Sequence, residues 1–257
     1  MILFTADWHI KLGQKNVPVA WAKKRYESFF EQISEQEKQC NMHIIGGDLF
    51  DRLPTMEELE LYFSFIRRVT IPTLIYDGNH EATKKNKTFF TQLKQVSRDI
   101  NPLIHVVDFS YVDTDKGFSV LPYADLHRES SIESFHTSMP LFTHVRGEIP
   151  PHVKPEVDLD RLSEFPVVFA GDLHAHSNTQ RNIVYPGSPM TTSFHRNEVE
   201  TGYLLINDKD WSWMWDKFYL PQLLRKTVSS PDEMLPSEYH HTIYELEGDI
   251  QLSLIHI

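Results

Sequence analysis

The sequence predicts an α/β layered domain, and three observations carry that prediction. Short apolar runs at residues 2–6, 42–45 and 73–76 are too brief for helices and read as buried strands. Each is followed by a polar or glycine-rich turn, and then by a stretch whose apolar residues have helical spacing. This strand–loop–helix unit repeats three times, the pattern of a sheet covered by helices.

The first strand runs into Asp7. Residues 18–39 read as a helix: Pro18 suits a first turn, and Ala20, Tyr26, Phe29, Phe30 and Ile33 recur at roughly helical spacing. The second strand ends in Gly46-Gly47-Asp48. A helix is expected at 55–69, where Thr55 and Glu58 have the spacing of a capping box. The third strand ends in Asp77-Gly78-Asn79-His80, and residues 89–96 read as a third helix. Beyond residue 100 the helical spacing fades. Strands are expected at 118–121, 139–143, 167–170, 183–185, 203–206 and 211–218, with a short helix at 129–135. Residues 146–164, rich in Pro, Glu and Asp, read as a surface loop with one helical turn.

A length of 257 residues suits one large domain, or one domain and a small second one. With 40% hydrophobic and 24% charged residues the chain has ordinary globular composition, which excludes disordered and fibrous classes. No apolar run approaches the ~20 residues of a membrane span. The stretch before Asp7 lacks the basic region of a secretory signal. Cys40 is the single cysteine, which rules out an internal disulfide and a thiolate zinc site and fits a reducing, cytoplasmic setting. A net charge of −11 makes the bare chain a poor generic binder of nucleic acid, although two bound divalent cations would offset four of those charges.

Of the 14 histidines, several fall in short strings with carboxylates. Asp7-Trp8-His9, Gly47-Asp48-Leu49-Phe50-Asp51-Arg52 and Gly78-Asn79-His80-Glu81 each close one of the first three strands. In sheets of this kind, ligands bind at the C-terminal strand ends. An acid held in a glycine turn after a buried strand is unfavourable unless it has a partner. His144 closes the strand near 139–143, and Gly171-Asp172-Leu173-His174-Ala175-His176 closes the one at 167–170. These oxygen and nitrogen donors suit Mn²⁺, Fe²⁺ or Zn²⁺. Seven ligands exceed the needs of one ion. Two ions about 3.5–4 Å apart need a shared carboxylate, and Asp48 is the natural bridge. A water between them would be the nucleophile, and the metals would neutralise phosphate charge. The implied reaction is hydrolysis of a phosphate ester.

These strings resemble the calcineurin-like metallophosphoesterases over residues 2 to about 195. Within that superfamily the chain is similar to SbcD-like nuclease subunits of bacterial and phage SbcCD-type exonucleases. Two features carry this: a helix with no Arg-Gly extension after the second motif, and Tyr185-Pro186-Gly187-Ser188-Pro189 leading to Ser193-Phe194. The resemblance implies a layered β-sandwich flanked by helices, with the start of a small C-terminal capping domain. It also implies metal-dependent DNA exonuclease/endonuclease activity in recombination or repair. Asp7 and His9 would bind the first metal, Asp48 would bridge, and Asn79 and His144 would bind the second. His80 would stand over the phosphate as leaving-group acid or transition-state stabiliser. The last motif departs from the family's Gly-His-x-His. Aligning on Gly171 places Asp172 on the second metal and His174 on the first, a more oxygen-rich site that favours Mn²⁺. The rival alignment pairs His174 with His176. The first is favoured, leaving His176 and Asp51 as supporting or alternative ligands.

Lys11 and Lys15 follow the first motif, Lys84, Lys85 and Lys87 follow the third, and Arg196 follows Ser193-Phe194. All six are candidate contacts to a DNA backbone. Trp211, Trp213 and Trp215 alternate and are expected to pack against the sheet. The resemblance implies an SbcC-like ABC-type ATPase partner and a homodimer, with no membrane association, in the cytoplasm of a bacterium or phage-infected cell. Residues 1–220 are expected to form the nuclease domain and 221–251 the beginning of the capping domain. Residues 252–257, LSLIHI, match a translated sequencing-adapter end and are expected to be a non-native tail on a chain that naturally continues. The alternatives are a protein phosphatase or small-molecule phosphodiesterase of the same fold, or a degenerate scaffold, for which the replacement at Asp172 is the only motive.

Overall fold

The computed structural model describes residues 1–84, 87–128, 130–237 and 239–247. It divides into a larger unit, Met1–Met190 with Glu200–Leu220, and a smaller one, Thr191–Val199 with the chain from Pro221 onward. The larger unit begins β1 (Ile2–Thr5), α1 (Val19–Glu37), β2 (Met42–Gly46), α2 (Met56–Ile66), β3 (Thr73–Tyr76). A small hairpin of β4 (Ala82–Lys84) and β5 (Lys87–Thr88) then leads to α3 (Phe90–Ile100). There follow β6 (Ile104–Val107), β7 (Tyr111–Asp113), β8 (Phe118–Leu121), α4 (Tyr123–Leu126) and β9 (Leu141–His144). The unit ends with β10 (Val168–Gly171), β11 (Ile183–Val184), β12 (Gly202–Ile206) and β13 (Trp213–Lys217).

Two sheets face each other. One has the order β13-β12-β1-β2-β3-β6, the other β11-β10-β9-β8-β7. In the first, β1, β2, β3 and β6 run parallel, and β12 and β13 are antiparallel additions at one edge. In the second, only β7 is antiparallel. Phe4, Ile44, Leu74 and Tyr76 of the first sheet pack on Phe118, Val120, Phe142 and Phe169 of the second. Full burial of each such side chain contributes about 1.5–3 kcal/mol. Leu126, Ile132, Leu159, Leu162 and Phe165 join a second cluster with Leu141 and Val168. Trp8 meets Phe29 of α1 and Phe65 of α2 edge-on at 4.8 and 4.9 Å. This is the layered sandwich with flanking helices that the family resemblance implies.

Polar groups join the layers as well. The buried Trp8 indole N–H donates to Thr5 Oγ1 at 3.0 Å, and His43 Nε2 lies 2.9 Å from the same hydroxyl. The Glu37 carboxylate accepts from His43 Nδ1–H at 2.9 Å, so in the neutral ring Nε2 accepts from the Thr5 hydroxyl. The chain of bonds ties the first loop to the end of α1. Thr55 caps α2 as its spacing predicts: Glu58 N–H donates to Thr55 Oγ1 and Thr55 N–H to Glu58 Oε2.

Several local expectations need correction. Residues 130–135 form turns and no helix, because Ile132 and Phe135 are drawn into the core beside Leu126; Glu129 lies outside the described residues. The strand expected at 211–218 begins at Trp213, since Trp211 has a left-handed φ of 61°. Strands β6 and β7 and helix α4 were not anticipated. The loop 146–164 does contain one turn, a 3₁₀ segment at Leu159–Leu162. Among the described residues no helix is long and apolar enough to cross a membrane. In the smaller unit β14 (Leu223–Val228) and β15 (His241–Leu246) pair in parallel, and His195 bridges to Leu224. The tail at 252–257 lies outside the described residues.

Candidate metal centre

The first two motif loops are zipped together by their backbones. Asp7 N–H donates to Gly47 C=O at 3.1 Å, His9 N–H to Asp48 C=O at 2.9 Å, and Ile10 N–H to Leu49 C=O at 2.8 Å. Asp7, His9, Asp48 and Asp172 all have left-handed backbones, with φ of 57°, 45°, 49° and 102°. Each such residue is disfavoured by about 1–2 kcal/mol, and strain of this kind concentrates at functional sites. Gly47 and Gly78 permit the crowding: a Cβ on Gly47 would meet the His144 ring, and one on Gly78 would meet the Asp48 carboxylate. The fully buried Glu81 locks the second and third loops, accepting N–H bonds from Asp48, Phe50 and Gly78.

Donor atoms from five strand ends converge, those of β1, β2, β3, β9 and β10. His9 Nε2 lies 3.0 Å from His174 Nε2 and 3.6 Å from Asp48 Oδ2. His144 Nε2 lies 3.0 Å from Asn79 Oδ1, 3.5 Å from Asp48 Oδ2 and 3.8 Å from Asp172 Oδ1. Among the described residues the donors form three groups, the donor atoms within each lying within 4.8 Å of one another: Asp7–His9–His174, His9–Asp48–His80 and Asp7–Asp48–His144. Asp7, His9 and Asp48 are each shared between two of them.

Hydrogen-bond logic tests whether this set fits a cation. His144 Nδ1 faces the Gly46 carbonyl at 3.0 Å, so Nδ1 carries a proton whether the ring is neutral or charged, and Nε2 is the atom that faces Asp48, Asp172 and Asn79. The Asn79 amide satisfies its neighbours in the metal-free chain with its NH₂ turned to Asp48 and His144 Nε2, and would turn Oδ1 to them only with a cation between. His9 and His174 direct nitrogens at each other, while His9 Nδ1 has no hydrogen-bond partner. Three buried carboxylates around these nitrogens call for positive charge, which a proton on His144 supplies in the metal-free chain and a divalent cation would supply when bound. Burial pushes the Asp7 carboxyl well up; His144 opposes this, and Asp48 and Asp172 reinforce it. Burial alone would lower the His144 ring, but Asp48, Asp7 and Asp172 outweigh it and push it up to about 9. Burial and then the neighbouring His174 hold His9 well below the usual histidine range. The donor set fits divalent cations.

His80 is placed differently. Its backbone N–H donates to Asp48 Oδ1 at 3.0 Å, and its Nδ1–H donates to the Asp51 carbonyl at 2.5 Å. That fixes Nε2 as its chemically available atom, on a side chain 36% exposed. Asp51 is turned outward to Lys11, with Nζ–Oδ2 2.7 Å, and its Oδ1 is 3.7 Å from His9 Nδ1. His176 lies outside the donor clusters. Its ring stacks on Trp215 at 5.1 Å and 10°, meets Trp213 edge-on, and bonds through Nδ1 to the Tyr185 carbonyl. Trp211 instead packs on Phe118 and Phe142. The Tyr185–Pro189 string supports the site: Ser188 N–H donates to His174 C=O and Ser188 Oγ to Asp7 C=O. Lys15 is exposed near the first loop. Lys84 and Lys87 belong to the β4–β5 hairpin, their side chains outside what is described, and Lys85 lies outside the described residues. Arg196 belongs to the smaller unit.

Arg146 was missed by the sequence reading. Its Nε and Nη2 donate to Asp172 Oδ2 and Oδ1 at 3.1 and 3.3 Å. Its backbone N–H donates to Glu156 Oε1, and Tyr123 O–H to Glu156 Oε2. An arginine two residues beyond a strand-ending histidine carries no local signal.

Residues 1–176 match the family described as Calcineurin-like phosphoesterase. The chain is 40% identical over 263 aligned positions to the Probable exonuclease subunit 1 of Escherichia phage T5, covering 97% of this chain and 79% of that one. It is 26% identical to the Putative phosphoesterase 244L of Invertebrate iridescent virus 6, over 80% and 75% of the two chains. Its fold is similar to that of TT1561 of Thermus thermophilus, at 13% identity and a TM-score of 0.50, covering 84% of this chain and 97% of that one. A family match over most of the chain, on motif loops that bring their donors together, means that the chain belongs to the calcineurin-like phosphoesterase family of metal-dependent hydrolases.

Proposed function

We propose that this chain is the nuclease subunit of a DNA exonuclease/endonuclease, hydrolysing phosphodiesters with two divalent cations, Mn²⁺ by preference, in recombination or repair. The observation that carries the reading is the meeting of His9, His174, Asp48, Asn79 and His144 at one cluster of strand ends. Similarity to a phage protein named an exonuclease subunit supports a nucleic acid substrate and a partner subunit; we read these as DNA and an SbcC-like ATPase, in a phage-infected cell. The smaller unit is read as the beginning of a capping domain.

Asp7, His9, Asp48 and His174 would hold one cation, and Asp48, Asn79 and His144, with Asp172, the other. The bound pair would supply a deprotonated water and neutralise charge on the phosphate. The chain's own groups do the rest. Glu81 fixes the backbone of the two carboxamide- and carboxylate-bearing loops. The Asp51 carbonyl holds the His80 ring by Nδ1–H, so that Nε2 can pass a proton to the leaving oxygen as the P–O bond breaks. Lys11 and Lys15 stand beside the first loop for backbone phosphates.

The test is hydrolysis of a labelled linear DNA and of bis-p-nitrophenyl phosphate with Mn²⁺, beside His80→Ala. DNA cleavage lost in the variant supports the nuclease reading. Activity on a phosphopeptide alone favours a protein phosphatase. No hydrolysis of any diester, with metal bound, favours the scaffold reading, for which the occupied Asp172 carboxylate is the motive.

A further inference from the structure

Asp172 stands where the family's arrangement calls for a second-metal imidazole. Both its oxygens are engaged by one guanidinium, through Nε–Oδ2 at 3.1 Å and Nη2–Oδ1 at 3.3 Å. Its side chain is 6% exposed and that of Arg146 is 41% exposed, so the pair is buried at the acid and open at the base. Asp172 reaches His144 Nε2 only at 3.8 Å, and among the described residues it joins none of the three-donor clusters. On the His9–His174 side, Lys11 is paired with Asp51 and with neither histidine's metal-facing nitrogen, Nζ lying 2.7 Å from Asp51 Oδ2. A fork of two N–H groups matched to a carboxylate is a strong, oriented contact, and a fixed positive charge beside a cation position opposes its filling.

We propose that Arg146 competes with the second metal ion for Asp172, so that the two metal positions fill unequally. The position built on His9 and His174 fills first. The position beside His144 completes its ligand set only when Arg146 gives up the carboxylate. This rests on the two-cation reading above, and it assigns Arg146 a positioning role at that centre, acting through Asp172. The replacement of imidazole by carboxylate at 172 then has a physical consequence: the added negative charge is balanced by an arginine and not by tighter metal binding.

The experiment is Mn²⁺ titration of the full chain, followed by isothermal calorimetry and by loss of the free-ion EPR signal, with no substrate present. The parent chain is expected to bind two ions in separated classes. Arg146→Gln, which removes the charge at an exposed position, is expected to tighten the weaker class at least tenfold and leave the tighter class within about twofold. Arg146→Lys keeps the charge but cannot span both oxygens, and is expected to shift the weaker class the same way by less. It serves as the readout if the Gln chain does not fold. In an Asp172→Asn background the Arg146→Gln change is expected to move the weaker class by less than about threefold, because nothing is left to compete for. An unchanged or weakened second class in Arg146→Gln overturns the proposal while leaving the metal centre intact, since Arg146 would then be a support for a bound Asp172. Failure of the parent chain to bind Mn²⁺ at all overturns the metal reading and this inference with it.

Discussion

Replacing Glu81 by glutamine is the sharpest probe of how the site is held. Glu81 is fully buried, and its two oxygens receive three backbone N–H groups: Asp48 and Gly78 on Oε2 at 3.0 and 2.8 Å, and Phe50 on Oε1 at 2.8 Å. Every partner is a donor. An amide can satisfy one side only, leaving its own NH₂ facing a backbone N–H on the other. Each buried donor without an acceptor is destabilising by about 1–3 kcal/mol, so two of them give about 2–6 kcal/mol. For a domain of this size that lowers Tm by roughly 5–15 °C. Mn²⁺ affinity should fall as well, because the Asp48 and Gly78 backbones set two ligand-bearing loops. Thermal unfolding watched by calorimetry, together with Mn²⁺ titration, reads both. The outcome is not trivial. Burial, and then the Asp48 charge, push the Glu81 carboxyl well up, while the Phe50 and Gly78 N–H groups pull it down. If the carboxyl carried a proton, glutamine would imitate it closely. A Tm within about 2 °C of the parent would therefore refute the argument that an ionised acceptor organises these loops.

Three further outcomes are expected. His174→Ala should weaken Mn²⁺ binding by more than about 100-fold, beyond the range for residues one step removed from a metal, whereas His176→Ala should change it by less than about threefold and lower stability by about 0.5–1.5 kcal/mol through loss of the Trp215 stack; equal effects in calorimetric titrations would revive the His174–His176 pairing. Gly78→Ala forces a Cβ against Asp48 and His144 and should abolish Mn²⁺ binding at the His144 side in the same titration. Burial pushes the Cys40 thiol up to about 11, so at pH 8 its thiolate fraction is about a hundredfold below that of an ordinary thiol and a disulfide reagent should label it correspondingly slowly; labelling at the free-cysteine rate would contradict its buried placement at the end of α1.

The ligand loops were legible because each donor and the strand that presents it share one short string. Asp7, Asp48 and Asn79 each follow an apolar run too short to be a helix, and parallel strands put all their C-terminal ends on one side. What was illegible depends on partners distant in sequence. Strand β6 passes unnoticed because Ile104–Val107 is interrupted by the exposed His105, and it is a strand through pairing with β3. The turns at 130–135 read as helix because local spacing does not register the pull of Leu126 and Leu162 on Ile132 and Phe135. His176 looks like a ligand in the string Asp172-Leu173-His174-Ala175-His176, yet two residues past His174 its ring lies flat on Trp215, a residue of the opposite sheet's edge strand.

Arg146 and Asp172 are the clearest case of the same rule. They are 26 residues apart, and neither motif mentions the other. The parallel register of β9 and β10 sets Gly171 opposite His144, which brings the two segments just beyond those strand ends side by side. A departure at one strand end is thus met by a charge two residues past the neighbouring strand end. The family pattern makes the change at 172 visible, but only the register shows what answers it. A carboxylate in that place, taken alone, suggests a stronger second cation site. Together with its guanidinium, it describes a site whose filling is contested, and the sign of the Arg146→Gln shift separates the two.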